Sequence, residues 1–175
     1  MPHERLTTLQ VKEVKDMSEI KFALEGQDRL VRSLCRATNA IYNSANYIIR
    51  EEFSKSAQIP DTDVIEKKLE DQEYFNAVPR RTAHIILDVL RKRWIRYREH
   101  LEEWRSGRAP PGSFRPKPPK MRNPRGLYFL PFHPDDIEHS GEFLKLPLLG
   151  ELLLPSPIYR EISQVAVVPY RSGKI

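Results

Sequence analysis

The sequence contains one cysteine, Cys35, and seven glycines among its 175 residues. A single cysteine excludes an internal disulfide and a cysteine-rich zinc site, and it favours a reducing compartment. The few glycines form none of the phosphate-binding loops that nucleotide-binding enzymes use. No run of about 18 apolar residues could span a bilayer, and the first ten residues lack the apolar core of a signal peptide. We therefore expect a cytoplasmic protein with no membrane partner.

Positive charge is concentrated in one part of the sequence. The whole chain has a formal net charge of +5, but residues 79–125 contain 14 Lys and Arg against four acidic residues, whereas the remainder contains 15 basic and 20 acidic residues. A basic segment within an otherwise acidic chain favours polyanions as partners. Nucleic acid is the partner that this composition indicates most strongly. The alternative is a solvated helix face that keeps the protein soluble.

Apolar residues at helical spacing predict three helices, over residues 28–53, 62–71 and 79–105. In the first, an apolar stripe runs from Leu30 to Ile48, and the polar face carries Arg32, Arg36, Asn39, Asn43, Asn46 and Arg50. In the third, apolar positions step by four and three from Ala83 to Trp104. Its aromatic residues, Trp94, Tyr97 and Trp104, are therefore expected to face inward, and its basic residues to remain exposed.

Residues 107–125 form a segment that we call the strap. It contains six prolines and six basic residues, a density of proline that excludes a helix or a central strand. Strand-like alternation lies on both sides of the helices and strap, first in residues 4–24 and again after Gly126. Within the later part, "FLKLPLLGELLLP" predicts two strands joined by a Leu-Leu-Gly turn, and "RSGK" at residues 171–174 predicts a hairpin turn.

This order of elements predicts an α+β protein in which a helical bundle is inserted into a small OB-like β-barrel. The expected division is residues 1–27 for the first barrel strands, 28–106 for the helical domain, 107–125 for the strap and 126–175 for the rest of the barrel. The "RSGK" turn has no return strand within the sequence, so we expect either a piece of a larger protein or an edge that pairs with another chain.

The candidate nucleic-acid-binding residues come from the basic segment and from the first helix. Arg80, Arg81 and His84 open the third helix, and a helix N-terminus with two arginines suits a phosphate. Asn43 and Tyr47 could contact bases by hydrogen bonding and stacking, with polar packing between helices as the alternative. The remaining candidates are basic residues of the third helix and the strap: Arg91, Lys92, Arg96, Arg115, Lys117, Lys120, Arg122 and Arg125.

The sequence offers little for catalysis. Cys35 lies within the first helix, where a structural thiol is more common than a nucleophile. The stretch "FHPDDIEH" places His133, Asp135, Asp136 and His139 close together, which permits a metal-dependent nuclease, although a polar turn between strands, broken by Pro134, is the favoured interpretation. We predict no catalytic residue, no bound metal and no cofactor.

Four segments, taken in order, resemble a known family. They are "LCRATNAIYNSANYIIREEF", "VPRRTAHIILDVLRKRWIRYREHLEEW", "RPKPPKMR" and "GEFLKLPLLGELLLP". The set is similar to the N-terminal half of TnpB-like, transposon-encoded RNA-guided DNA endonucleases, which are relatives of the compact type V CRISPR effectors. The resemblance covers about residues 5 to 175, and its specificity comes from the order of the motifs.

The resemblance implies a wedge-type barrel with a helical recognition domain, a guide RNA and target DNA as partners, and a RuvC-like nuclease domain as a further one. It places Arg80 and His84 where the family reads the short target-adjacent DNA motif. The nuclease carboxylates and zinc-ribbon cysteines of the family are missing from this sequence, so we expect a non-catalytic binding module. The alternatives are a naturally short regulator without the nuclease domain and an interaction module that docks an acidic protein.

Overall fold

The structure is a computed structural model that describes residues 7–13, 19–23, 28–158 and 162–169. Within these ranges the helices are α1 (Asp28–Ser56), α2 (Thr62–Leu69), α3 (Glu73–Asn76) and α4 (Arg80–Arg105). The strands are β1 (Thr7–Glu13), β2 (Glu19–Ala23), β3 (Leu130–Phe132), β4 (Glu138–Leu146), β5 (Gly150–Ile158) and β6 (Ile162–Pro169). The α+β class predicted from the sequence is therefore confirmed.

The strands form two antiparallel sheets. One has four strands in the order β2-β1-β6-β3, and the other is the hairpin of β4 and β5. This hairpin turns through Leu148 and Gly150, which have φ values of 67° and 74°, at the predicted Leu-Leu-Gly turn. Neither sheet closes into a barrel within the described residues, so the OB-like barrel is not confirmed. The predicted turn at residues 171–174 lies outside the described residues.

The helices and the four-stranded sheet share one hydrophobic core. Trp94 of α4 and Ile41 of α1 are fully buried in the same cluster as Leu130 of β3 and Val165 of β6. Two further contacts fix both long helices to the segment around β3. The Thr82 hydroxyl donates a hydrogen bond to the Pro131 carbonyl at 2.8 Å, and the Tyr128 N–H donates to the Cys35 carbonyl at 2.9 Å.

The apolar spacing misassigned the burial of residues at the ends of the two long helices. Leu30 and Trp104, predicted to be buried, are 44% and 39% exposed, because they lie in the terminal turns of α1 and α4, where the facing element ends. Asn39 and Asn46, on the polar side of the predicted first helix, are 1% and 0% exposed, so this side is packed within the protein. The four-residue helix α3 was not predicted. No helix in the described part of the chain combines the length and apolarity needed to cross a bilayer.

Candidate nucleic-acid interface

The strap has neither helix nor strand structure, and side chains of α1 hold its main chain in place. Four of them donate hydrogen bonds to strap carbonyl groups. These bonds join Asn39 to Asn123, Asn43 to Arg122, Asn46 to Pro119 and Arg50 to Pro119, at distances of 2.9, 3.1, 3.2 and 2.7 Å. The Asn43 side chain also accepts a hydrogen bond from the Arg122 N–H at 2.8 Å. The strap therefore has a defined register along the helix.

The spacing of these side chains explains the arrangement. Positions 39, 43, 46 and 50 step by four, three and four, so they lie on one face of α1. Proline has no N–H and cannot donate to a strand ladder. The amide side chains of α1 take the place of a neighbouring strand and satisfy carbonyl groups that packing would otherwise leave without donors. A proline-rich segment is in this way held against a helix.

Arg122 anchors the end of the strap. Its guanidinium carbon lies 4.1 Å from the centroid of the Tyr128 ring and 5.7 Å from that of Tyr42. Its Nε donates to Asn39 Oδ1 at 3.0 Å, and its Nη2 donates to the Leu127 carbonyl at 3.1 Å. The planar guanidinium stacks on a ring and donates two directed hydrogen bonds at the same time. Lysine has no planar group, so it is a poor substitute at this position.

A groove of about 1050 Å³ lies between α1, α4, the strap and residues 126–129. We call it the basic groove. Its cationic residues are Arg93, Arg96, Lys117, Lys120 and Arg122. His100 also lines it. Its aromatic residues are Tyr42, Tyr97, Tyr128 and Phe129. None of the described residues that line it is acidic, so its charges act in one direction on an incoming anion.

Four of the predicted binding residues meet in the basic groove: Arg96, Lys117, Lys120 and Arg122. Arg93, Tyr97, His100 and Phe129 were not among the predicted residues. Three of these, Arg93, Tyr97 and His100, share one face of α4 with Arg96, because the four positions are separated by three, one and three residues. This spacing was a signal available in the sequence. No sequence signal indicated Phe129, because its place in the groove depends on where the strap returns to the sheet.

The predicted residues near the start of α4 lie elsewhere and face carboxylates. Arg80 and His84 both contact Glu66, whose side chain is buried. Arg81 Nη1 is 2.9 Å from Asp136 Oδ1, and Arg91 Nη2 is 2.6 Å from Asp61 Oδ1. Each of these basic residues has an acidic neighbour within the chain, which lowers its attraction for an added phosphate relative to the basic groove.

The remaining candidates do not line the groove. Lys92 and Arg125 are exposed, and Tyr47 is 57% exposed. The guanidinium of Arg115 lies 5.9 Å from the Trp104 ring centroid. The amide of Asn43 is engaged with the strap on both its oxygen and its nitrogen, which is polar packing within the chain.

In the metal alternative, His133 Nδ1 lies 3.5 Å from Asp135 Oδ2, but among the described residues this pair belongs to no group of three ligand atoms within 4.8 Å of one another. His133 Nδ1 accepts a hydrogen bond from the Asp135 N–H at 3.2 Å, and both Asp135 and Asp136 face Arg81. Among the described residues, the three side chains that bring ligand atoms within 4.8 Å of one another are Asp63, Glu66 and His84. In that cluster Arg80 already contacts Glu66.

Cys35 is fully buried, as its position in the first helix indicated, and burial raises the pKa of its thiol to about 12. At neutral pH its sulfur is therefore the protonated thiol, which is a weak nucleophile. This side chain contributes to packing in the core.

The hydroxyl of Tyr128 is buried and has no hydrogen-bond partner in the described part of the chain. Burial raises the pKa of this phenol, against the lowering effect of Arg93 and Arg122. Since an unsatisfied buried polar group costs about 1–3 kcal/mol, we expect Tyr128→Phe to raise the free energy of unfolding by about 1 kcal/mol, seen as a rise of about 2–4 °C in Tm.

Tyr74→Phe is the matched control, because the Tyr74 hydroxyl donates to Ser44 Oγ at 2.8 Å and its removal is expected to lower Tm. Thermal unfolding followed by circular dichroism measures both variants. If Tyr128→Phe lowers Tm as much as Tyr74→Phe does, the Tyr128 hydroxyl is hydrogen-bonded after all.

Comparison with known proteins assigns no family: no protein-family model matches this chain, and no curated protein matches it significantly. The function of this chain is therefore inferred from the geometry and charge of the basic groove.

Proposed function

We propose that this protein is a nucleic-acid-binding module whose binding surface is the basic groove. The observation that carries the proposal is its lining, in which Arg93, Arg96, Lys117 and Lys120 converge and none of the described lining residues is acidic. Cationic side chains that contact phosphates supply most of the sequence-independent affinity for nucleic acid. Aromatic residues in the same groove are typical of surfaces that contact bases as well.

The fixed path of the strap supports this function on energetic grounds. A flexible basic tail would lose conformational entropy when it closed around a ligand. Here five carbonyl contacts from α1, including that of the Tyr42 hydroxyl with Lys120 at 3.4 Å, already hold residues 119–123. Lys120 lies within this held segment and is therefore presented to the groove before a ligand arrives, and Lys117 lines the groove two residues before the segment begins.

The resemblance to TnpB-like proteins gives the finer proposal. In it, the module binds the guide RNA and the target DNA of an RNA-guided system, with a RuvC-like nuclease domain as the cleaving partner and no cleavage by this chain. The order of two strands, a helical segment, a basic strap and further strands supports this assignment. The finer architecture proposed with it is an OB-like barrel built from those strands.

The test is a salt series with a fluorescein-labelled oligonucleotide, followed by anisotropy. With contacts from Arg93, Arg96, Lys117 and Lys120, the slope of log K against log salt concentration should be about −3. Affinity should then fall about 60-fold between about 50 and 200 mM salt. A slope near zero, or no binding at low salt, would contradict the proposal.

A poly-glutamate peptide of equal charge separates nucleic acid from an acidic protein partner. We expect it to compete weakly, because carboxylates on flexible side chains provide neither the regular phosphate spacing nor the bases that the groove can contact. Equal competition by the peptide would favour the protein-docking alternative.

A further inference from the structure

The aromatic residues of the basic groove fall into two groups that differ in exposure. Tyr42 and Tyr128 are 2% and 6% exposed, and the Arg122 guanidinium lies over both rings. Their faces are occupied from within the chain. Tyr97 and Phe129 also line the groove but are only half-buried, so part of each ring remains open to a ligand.

The half-buried rings are held in place. Tyr97 packs edge-on against Trp94 with ring centroids 5.5 Å apart, and Phe129 packs edge-on against Tyr128 at 4.5 Å. Tyr97 also packs against Phe53 at 5.7 Å. A ring that is held by such contacts and still partly exposed is a suitable platform for a flat ligand, because little side-chain entropy is lost on binding. Exposed rings in a cationic groove are otherwise costly, since they leave apolar surface in contact with water.

Double-stranded nucleic acid cannot use these platforms. In a duplex the faces of the bases are stacked on one another, and only base edges and the backbone are accessible. Unpaired bases offer their faces to aromatic side chains, and such stacking is tolerant of sequence. The volume of about 1050 Å³ lies at the top of the range for sites that enclose one drug-sized ligand, which suits a segment of a few nucleotides.

We propose that the basic groove binds single-stranded nucleic acid, with unpaired bases on Tyr97 and Phe129 and phosphates along Arg93, Arg96, Lys117 and Lys120. This inference rests on the proposed function and adds the strandedness of its ligand. RNA and DNA single strands share the phosphates and bases that the groove recognises. An oligouridylate and an oligothymidylate of equal length are therefore tested separately, and the tighter binder shows whether RNA or DNA is preferred.

The experiment compares three probes of matched length at low salt: the oligothymidylate, the corresponding duplex, and an abasic phosphodeoxyribose strand that keeps the phosphates and removes the bases. We expect the base-bearing single strand to bind more tightly than the abasic strand by about 5- to 150-fold for each base that stacks. The duplex should bind less tightly than the single strand. Equal affinity for the abasic strand or for the duplex overturns the inference and leaves the proposed function intact.

Two variants locate the stacking. Phe129→Leu and Tyr97→Leu keep apolar volume but remove the ring, and each should weaken the base-bearing probe about tenfold while leaving the abasic probe unchanged. Phe114→Leu is the control, because Phe114 is 94% exposed and does not line the groove. Tm values verify that each variant is folded. Equal effects of Phe129→Leu on both probes would assign that ring a structural role and overturn its part in stacking, whereas failure of every probe to bind contradicts the proposed function itself.

Discussion

Reversing the charge of Lys117 and Lys120 together is expected to weaken oligonucleotide binding about a hundredfold at low salt. Both side chains are exposed and line the basic groove. Each substitution removes one attraction to a phosphate and introduces one repulsion, and each such interaction is worth about 0.2–1 kcal/mol near a surface. The four interactions together amount to about 0.8–4 kcal/mol, which corresponds to about 4- to 900-fold in Kd.

The salt dependence should change together with the affinity. Loss of two of the four proposed phosphate contacts is expected to reduce the slope of log K against log salt from about −3 to about −1.5. Anisotropy measured with Lys117→Glu/Lys120→Glu at several salt concentrations gives both quantities. The fold should be unaffected, because α1 binds the strap through its carbonyl groups and not through these side chains.

Lys67→Glu/Lys68→Glu is the matched control for this pair. It makes the same change in net charge on exposed residues of α2 outside the lining of the groove. Its effect on binding should be less than about threefold, which is the general effect of lower net charge. If the control pair weakens binding as strongly as the strap pair, the attraction is diffuse and the groove is not its location.

Asn46→Ala is expected to lower the free energy of unfolding by about 3 kcal/mol. The Asn46 side chain is completely buried and accepts a hydrogen bond from Trp94 Nε1 at 2.8 Å. Alanine would leave this indole N–H unsatisfied, at a cost of about 1–3 kcal/mol, and would add a cavity beside it. The Pro119 carbonyl would lose one of its two donors and keep Arg50.

The measurement is thermal or urea unfolding followed by circular dichroism, where a loss of about 3 kcal/mol corresponds to a fall in Tm of about 6–12 °C. Asn76→Ala serves as the comparison, because Asn76 is exposed and its amide bonds only nearby carbonyl groups of Glu70 and Gln72. That variant should lose less than about 1 kcal/mol. A similarly small loss for Asn46→Ala would show that the Asn46–Trp94 contact does not hold the two long helices together.

Local periodicity was sufficient to predict the long helices and most strands, since apolar spacing reflects which face of an element is buried. It could not predict the role of the asparagines on α1. Asn39 and Asn46 look like a polar, exposed face until the strap covers them, and the strap has no periodicity of its own. A row of three asparagines at helical spacing was the signal, because amide side chains on an exposed helix face have no advantage over better helix formers.

The charge count along the sequence overestimated the positive charge that residues 79–125 can offer to a polyanion. The acidic residues that face Arg80, Arg81 and Arg91 come from outside residues 79–125, namely Asp61, Glu66, Asp135 and Asp136. Their pairing depends on how α2 and the turn before β4 pack against α4. A count of charges along the sequence carries no information about this packing. These four acidic residues do not pair with the basic residues of the strap or of the second half of α4.

The contacts between α1 and the strap also set an order of events during synthesis of the chain. Each of these hydrogen bonds joins residues that lie 69 to 84 positions apart, whereas α1 depends mainly on contacts between near neighbours. A ribosome must release residues through Val168 before every described residue that lines the groove has been made. Until residues 119–123 have been released, the nascent α1 exposes its row of asparagines, and the polypeptide has nowhere to hold a polynucleotide of the kind proposed.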